Sequence, residues 1–428
     1  MAYYGYYILT AVIPASMYFS SIFTSWAEYV AVFSSPTSDL YSSSSALGLN
    51  QSLYLAFIFV PSHLTKLLAD LLGKPLVIRL GLVLICLGLC LSALAPNIYF
   101  LTVSRSVIVG IGINWLITPI CFLMAEWFPW QHRFHVLATS SQAIANPLGI
   151  VLFPLAIRWI IEISNWRYSF LFLAGTAAFY GVIIGLIVRD PRPGEVSNAK
   201  KDDVKSDFTA WSEQSKNIIK FIWLAIAVCK GISQSVIYTF LVQYAEAQGF
   251  RGLESTYPLT ADGAAGFVAR LLVAMFGDLI KGRLLYMYVV CALMLSTVCF
   301  LLPFAASLPG FIVFGAVLGS GQGPIIAAWY AACNEVLGGE SVHELFLLQR
   351  VGWGIGLAAG GLVAGLILDV FQSYPMVFFG LGLSYGFILL GQVVIILWNK
   401  YREKVSPYGS QIASLSLTKD RQQWSDSE

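Results

Sequence analysis

Residues 76–95 read LVIRLGLVLICLGLCLSALA, and Arg79 is the single charged residue in this run. An α-helix needs about 20 predominantly apolar residues to cross the hydrocarbon core of a bilayer. The run therefore predicts a membrane-spanning helix. Similar runs recur along almost the whole chain, so the surroundings of this protein are lipid rather than water.

The composition of the chain agrees with a membrane protein. Charged residues make up 11% of the 428 residues and apolar residues 57%, whereas roughly a quarter of a typical soluble protein is charged. A net charge of +2 without a basic stripe excludes a nucleic-acid partner. All seven cysteines lie in apolar runs, which predicts neither disulfide bonds nor a metal site.

Twelve apolar runs are long enough to cross a bilayer, and we number them spans 1 to 12. They predict an all-α membrane protein in which a polar linker, residues 189–217, separates two six-helix bundles, residues 1–188 and 218–398. The polar, Ser-rich residues 399–428 predict a disordered cytoplasmic tail. The predicted spans are residues 4–33, 48–68, 76–95, 98–124, 135–161, 168–188, 218–245, 256–276, 284–305, 309–333, 343–368 and 375–398.

The loop charges predict the orientation of the spans. Most Lys and Arg residues of the loops lie on the side of the N-terminus, and only Arg167 and Arg251 lie on the other side. Cytoplasmic loops retain positive charge, so both termini are predicted to be cytoplasmic. Span 1 has no basic region before it and no small-residue cleavage site, so we expect it to be retained. We favour a plasma or inner membrane over an organelle membrane.

The loops that follow spans 2 and 8 repeat one pattern. Residues 69–74 read ADLLGK and residues 277–283 read GDLIKGR, so each loop carries an acid followed by glycine and a base. An acid at this place can bind a base or a helix end of the other bundle and so favour one of two packings. We predict gating roles for Asp70, Lys74, Asp278 and Arg283.

The loop after span 2 resembles the loop signature of the major facilitator superfamily, although Lys66 and Leu71 replace a glycine and a base of that signature. Arg105, with Gly110 and Gly112, resembles the Arg–Gly motif of the fourth span in that superfamily. The resemblance implies a secondary transporter with two six-helix bundles that alternate around a central site. We add Arg105 to the predicted gating residues.

The second half of the chain is similar to the monocarboxylate porters and to the oxalate/formate antiporters. This similarity implies that Arg270 binds a substrate carboxylate, that Arg350 supplies a second basic group, and that Tyr330 is an aromatic residue of the cavity. The chain departs from the porters at Gly266, where they have an acid, and in span 1, which has no lysine among residues 16–28. The similar segments are residues 238–245, 268–270, 319–323 and 360–369.

Several charged residues fall inside the predicted spans. A charge near the bilayer centre costs at least about 2.5–3.5 kcal/mol on insertion scales, so each one needs a partner, a wet cavity or a function. Lys230, Arg270 and Arg350 predict a positive substrate site in the second half, which suits a carboxylate. Glu28 and Asp262 are the candidate proton carriers, because burial raises the pKa of a carboxyl group.

These intramembrane charges also have alternative, purely structural explanations. A buried cation can pair with an acid or with carbonyl groups, and a cation near a helix end can extend to the interface. The alternatives are pairing of Arg105 with Glu28, of Arg350 with Glu335 or Glu344, and of Lys230 with Asp262 or carbonyls, and extension of Arg158 to the outer surface.

Together these observations predict a secondary active transporter of a small organic anion, a monocarboxylate or dicarboxylate, that works by proton symport or anion exchange. The alternatives are a facilitator of a neutral or zwitterionic solute such as an amino acid, and a non-transporting receptor with the same fold. The sequence contains no nucleophile–base constellation, metal-ligand spacing or phosphate-binding loop, so it predicts neither an enzyme nor a cofactor. A monomer is compatible with the sequence, as is a complex with an accessory subunit.

Overall fold

The computed structural model describes residues 4–33, 36, 38–144, 146–192, 213–250, 252–305, 307–337, 341–371 and 373–425. Helices dominate this part of the chain, and it contains no β-strand. The all-α prediction is therefore confirmed. Residues 193–212, most of the predicted linker, lie outside the described residues, so a tether between the bundles stays a prediction.

Each predicted span corresponds to one helix or to consecutive helical pieces. Span 1 contains Gly5–Thr24 and Trp26–Phe33, span 2 contains Ser44–Phe59 and Ser62–Leu72, and span 3 is Lys74–Ala93. Span 4 contains Ile98–Leu101, a π-helix at Thr102–Val109 and Gly110–Trp127; span 5 contains His135–Ile144 and Asn146–Ile163; and span 6 is Trp166–Ile187. Span 7 is Glu213–Ala247, span 8 is Tyr257–Phe276 between the 3-10 turns Gly252–Thr256 and Gly277–Ile280, and span 9 is Leu284–Leu301 followed by the turn Leu302–Phe304. Span 10 contains Leu308–Ala327 and Trp329–Val336, span 11 is Val342–Phe371, and span 12 is Tyr374–Ser425.

The described helices have the lengths and compositions that a bilayer requires. Nine of them are long and apolar enough to cross a membrane, and a tenth candidate is span 2, whose two pieces are bent by 42°. These described segments are consistent with the predicted count of twelve. The last helix, Tyr374–Ser425, extends into the segment for which the sequence predicted disorder. Adding a residue to an existing helix costs little, because each added residue forms one backbone hydrogen bond.

Two hydrophobic cores divide the molecule into a first and a second half. The first core consists of residues from spans 1 to 6, joined by Trp353 and Leu357 of span 11. The second consists of residues from spans 7 to 12, joined by residues of spans 4 and 5 that include Phe122, Val136 and Ala143. Spans 4, 5 and 11 therefore contribute apolar contacts between the halves, and they line the site described below.

Glycines allow spans 8 and 10 to pack backbone against backbone. A Cβ atom at Gly315 would lie 1.9 Å from the carbonyl oxygen of Pro258, and one at Gly319 would lie 2.1 Å from that of Asp262. Real atoms cannot approach so closely, so these two positions require glycine. The contact fixes span 8, which carries Asp262 and Arg270, against span 10, which carries Tyr330.

We expect Gly319→Ala to lower the melting temperature of the purified protein. The added methyl group must push spans 8 and 10 apart, and such overpacking costs about 1–3 kcal/mol. Gly263→Ala is the matched control on span 8, because nothing lies within 4 Å of its Cβ position. Equal melting temperatures for the two variants, measured in the same detergent, would contradict this packing.

Candidate functional site

A cavity of about 80 Å³ lies between the two halves. Its wall is mostly aliphatic and aromatic, and Arg350 is the charged residue among the described lining residues. An apolar cavity with a few oriented polar groups is the usual form of a small-molecule site. We call it the central cavity, and its lining residues are Ala15, Phe59, Ile117, Ile120, Cys121, Thr139, Ala143, Asn146, Ile326, Trp329, Tyr330, Phe346, Arg350 and Trp353.

Tyr330 separates the central cavity from a second, larger cavity on the cytoplasmic side. The second cavity has a volume of about 490 Å³, and Tyr330 lines both cavities. The Tyr330 hydroxyl forms a hydrogen bond with Nδ1 of His343 at 3.1 Å, and its ring contacts the ring of Phe346. The predicted cavity residue therefore lies at the cytoplasmic end of the central cavity.

Arg350 reaches from the cavity wall into the other half of the molecule. Its surface is 3% exposed. Nε donates a hydrogen bond to Oγ of Ser62 at 3.2 Å, and Nη2 donates one to the carbonyl oxygen of Ile58 at 3.3 Å. The acids considered as alternative partners, Glu335 and Glu344, bind other groups. Arg350 therefore connects span 11 to span 2.

Lys230 lies behind the aromatic wall of the central cavity. Its side chain is buried, with 6% of the residue surface exposed, and Nζ lies 5.1 Å from the ring centroid of Trp329. Such a cation–π contact compensates only part of the cost of burying a charge. Nζ has no hydrogen-bond partner among the described residues. The alternative pairing of Lys230 with Asp262 or carbonyls is therefore not formed among the described residues, and its role in substrate binding stays a prediction.

Arg270 approaches the cavity from span 8. Nη1 donates a hydrogen bond to the carbonyl oxygen of Ala143, a lining residue of the other half, at 3.4 Å. Nε is buried and has no hydrogen-bond partner in the described part of the chain. Arg270 also lies near enough to Lys230 for the two charges to repel each other. The structure thus brings Lys230 and Arg270 together, while span 2 holds Arg350 separately.

Asp262 lies on the same helix as Arg270 and is buried as well. The hydroxyl of Tyr238 donates a hydrogen bond to Oδ2 of Asp262 at 3.1 Å. Arg270 attracts the carboxylate electrostatically. The candidate proton carrier of the second half therefore interacts with a cation of the predicted substrate site.

Two polar residues of this region, Gln234 and Tyr238, were not identified from the sequence as site residues. Both lie on span 7 at intervals of four from Lys230, so all three share one helix face. Oε1 of Gln234 accepts a hydrogen bond from Nε1 of Trp353 at 2.9 Å. The repeated interval of four between polar residues inside an apolar span was the signal that could have identified them.

Arg105 is fully buried inside the first half. It donates hydrogen bonds to Oδ1 of Asn50 at 2.6 Å, Oε1 of Gln51 at 2.9 Å and the carbonyl oxygen of Ile22 at 3.3 Å. Its guanidinium carbon lies 4.0 Å from the ring centroid of Trp26. These contacts connect spans 1, 2 and 4 of one bundle, and a gating role for Arg105 stays a prediction.

The alternative pairing of Arg105 with Glu28 is not formed in the structure, and Glu28 has other partners. Glu28 Oε2 lies 3.4 Å from Nη1 of Arg158, whose Nε binds Glu162 at 2.6 Å. Arg158 is exposed, as expected for a cation that extends to the outer surface. Glu28 therefore belongs to an outer charge group and does not line the central cavity.

Asp278 connects the halves at their cytoplasmic ends. Its two carboxylate oxygens accept hydrogen bonds from the backbone N–H groups of Val136 at 2.9 Å and Leu137 at 3.2 Å. These groups begin the first helix of span 5, where a negative charge is stabilising. Lys281 Nζ lies 3.1 Å from Asp278 and donates a hydrogen bond to the carbonyl oxygen of His132 at 2.6 Å. We call these five residues the cytoplasmic gate, and the gating role of Asp278 itself stays a prediction.

The cytoplasmic gate contains one titratable histidine. Burial lowers the pKa of His132, the charges of Lys281 and Arg133 lower it further, and Asp278 opposes them. A folded-state pKa below the unfolded value means that protonation favours states in which the burial of the ring is lost. Protonation of His132 therefore destabilises the folded structure around this histidine as the pH falls below about 6.5, the unperturbed pKa of histidine.

The described ion pairs of the pseudo-equivalent loop stay within the first half. Asp70 binds Lys66 of its own helix at 2.8 Å, and Lys74 binds Glu126 of span 4 at 2.8 Å. The fifth predicted gating residue, Arg283, is exposed. Of the two repeated loops, the one after span 8 holds the halves together through the described contacts.

Asp278→Asn is expected to weaken closure of the cytoplasmic side. The neutral amide loses the charge interaction with the helix N-terminus, worth about 0.3–2 kcal/mol, and the contact with Lys281. Alkylation of Cys121, a lining residue of the central cavity, should then become several-fold faster with a membrane-impermeant maleimide on the cytoplasmic side. Asp70→Asn is the control, and an equal acceleration by both variants would contradict the assignment.

The helices, the two halves and the cavity between them define a multi-pass membrane transporter. The family model of the Major Facilitator Superfamily matches residues 2–338, so the chain belongs to this superfamily. The predicted major facilitator fold and the predicted membership of the superfamily are therefore confirmed.

Relatives and solved structures agree with this membership. Monocarboxylate transporter 2 of Rattus norvegicus is 23% identical over 87% of this chain and 81% of its own length. Monocarboxylate transporter 6 of Mus musculus is 21% identical over 83% and 79%, respectively. The fucose:proton symporter of E. coli has the same fold, with a TM-score of 0.63 at 15% identity, over 91% of this chain and 99% of the symporter.

Proposed function

We propose that this protein transports a small organic anion, a monocarboxylate or dicarboxylate, by alternating access. One observation carries the proposal: Nζ of Lys230 and Nε of Arg270 are buried donors without hydrogen-bond partners in the described structure. An unpaired buried cation is costly, so a ligand that supplies negative oxygen atoms is bound favourably by these donors. The names of the monocarboxylate transporter relatives support the same class of substrate.

The geometry favours a carboxylate over other anions of similar size. Arginine presents a planar fork of N–H donors that matches the two oxygens of a carboxylate. Arg270 and Lys230 stand behind Ala143 and Trp329 of the cavity wall, while Arg350 lines the cavity directly. The cavity is small and mostly aliphatic and aromatic, with a few polar side chains such as Thr139 and Asn146, which suits an acid with a short hydrocarbon chain.

Asp262 is the proton carrier that this arrangement favours over Glu28. A protonated Asp262 no longer attracts Arg270, so the arginine becomes available to the anion. Proton binding and anion binding then support each other, which is the requirement for symport. We expect Asp262→Asn to retain binding but to lose the acceleration of uptake by a proton gradient. Glu28→Gln, the control, should keep that acceleration, and loss of it in Glu28→Gln alone would contradict the assignment.

Ligand-dependent thermal stabilisation tests the substrate class. Purified wild-type protein is heated with carboxylates, neutral amino acids and sugars in turn, and the series is repeated with Arg270→Met. A carboxylate that raises the melting temperature of the wild type, but not of the variant, supports the anion site. Stabilisation of both proteins by a neutral solute would overturn it and leave a transporter of neutral substrates.

A further inference from the structure

Span 2 is broken at the point where it faces the other half. Its two pieces, Ser44–Phe59 and Ser62–Leu72, meet at a bend of 42°. Pro61 has no N–H group, so the helical hydrogen-bond ladder is interrupted there. The interruption releases the carbonyl oxygens of the preceding turn, and the hydroxyl of Ser62 binds one of them, that of Phe59, at 2.6 Å.

Two side chains from other spans bind the remaining acceptors of this break. Asn114 of span 4 donates hydrogen bonds to the carbonyl oxygen of Ile58 and to Oγ of Ser62. Arg350 of span 11 binds the same two oxygen atoms. Asn114 belongs to the same half as the break, whereas Arg350 crosses from the other half. The acceptors therefore keep a partner when Arg350 leaves.

Arg350 has neutral partners in this position. Nε and Nη2 donate hydrogen bonds to a hydroxyl and a carbonyl group on span 2, and the ring centroid of Phe59 lies 5.1 Å from the guanidinium carbon. Arg350 also lines the central cavity. A cation with weak partners on one side thus faces the space into which an anion binds.

We propose that Arg350 is a latch between the halves that an anion in the central cavity releases. Without a ligand, the guanidinium binds the break in span 2 and holds span 11 against the first half. A carboxylate in the cavity offers ionised acceptors, and hydrogen bonds to ionised groups are roughly twice as strong as those between neutral groups. The arginine moves to the carboxylate, and the cytoplasmic side is freed to open.

The latch deepens the proposed function and rests on it for the identity of the releasing ligand. It links cavity occupancy to the conformational change, because a ligand shifts an equilibrium only through different contacts in the two states. Without a ligand the transporter remains latched on the cytoplasmic side, so its change to the conformation that is open to the cytoplasm is slow. Arg350 is therefore both a ligand of the anion and a positioning residue of the closed state.

Distance measurements between spin labels test the latch without any transport assay. The labels are attached through ketone-bearing amino acids at Leu71 and Leu279, which are 82% and 81% exposed at the cytoplasmic ends of the two halves. Without ligand, Ser62→Ala should raise the ratio of open to closed populations by roughly tenfold, because it removes an acceptor of a charged donor. Ser92→Ala, a buried serine within the first half, should match the wild type.

Arg350→Gln supplies a second variant and separates the two proposals. It should open the cytoplasmic side without ligand, and L-lactate or oxalate should open the wild type but leave this variant unchanged. Wild-type distances in both Ser62→Ala and Arg350→Gln would overturn the latch, even if carboxylates stabilise the protein. If both variants open but no carboxylate opens or stabilises the wild type, the anion as releasing ligand is overturned together with the proposed function.

Discussion

Replacing Arg270 by methionine is expected to reduce carboxylate uptake by roughly 30-fold to several thousandfold. Truncating one partner of a buried, hydrogen-bonded charge pair costs about 2–5 kcal/mol, and each 1.4 kcal/mol corresponds to a factor of ten. Methionine preserves much of the length and volume of the side chain, so packing against span 5 changes little. The loss should be measured as the initial rate of uptake into proteoliposomes at a concentration below saturation.

Arg158→Met is the matched control for this variant. Arg158 is also an arginine on a predicted span, but it is exposed and binds Glu28 and Glu162 at the outer end. Surface ion pairs contribute at most about 1 kcal/mol, so uptake should stay near the wild-type rate. Normal carboxylate uptake by Arg270→Met would contradict the assigned role of Arg270.

Lys230→Met is expected to change stability and transport in opposite directions. In the empty protein Nζ is buried without a hydrogen-bond partner among the described residues, and its charge is repelled by Arg270. Removing an uncompensated buried charge stabilises the fold, so the melting temperature without ligand should rise. Uptake of the carboxylate should fall strongly, because the same charge is required once the anion arrives.

If Lys230 had a purely structural role, the effects of Lys230→Met on melting temperature and uptake would differ from those just described. Lys230→Met would then lower the melting temperature and leave uptake unchanged, which would contradict the proposed site. Lys220→Met provides the comparison, since Lys220 binds Glu344 at 2.7 Å near the cytoplasmic surface. Its removal should alter neither property by a large amount.

The sequence predicted the fold well because the bilayer imposes a simple rule. A run such as residues 76–95 has few structures available other than a spanning helix, since lipid offers no partners to backbone polar groups. The predicted helix ends were less accurate, as Tyr374–Ser425 illustrates. Ends depend on local capping and on neighbouring loops, which carry weaker signals than twenty apolar residues.

The contacts of the intramembrane charges were harder to predict. Arg105 and Glu28 lie at similar predicted depth, yet Arg105 binds Asn50 and Gln51 and Glu28 binds Arg158. Depth follows from counting residues along a helix, whereas partners depend on how each helix is rotated about its axis. Pattern alone does not fix that rotation when both faces of a helix are apolar.

The two loop motifs show the same limit in another form. Their sequences are nearly equivalent, but Asp278 binds the opposite half and Asp70 binds its own helix. Which backbone groups lie opposite each acid depends on how the two halves pack, and the loop sequences do not contain that information. The gating role of both loops stays a prediction.

Uptake of labelled L-lactate and oxalate into proteoliposomes is the most direct test of the proposed transport of organic anions. We predict saturable uptake that an inward proton gradient accelerates and that other carboxylates inhibit. Arg270→Met should reduce this uptake by at least roughly 30-fold, and Arg158→Met should preserve it. Saturable flux of a neutral sugar or amino acid that is equal in both variants, without carboxylate flux, would contradict the account.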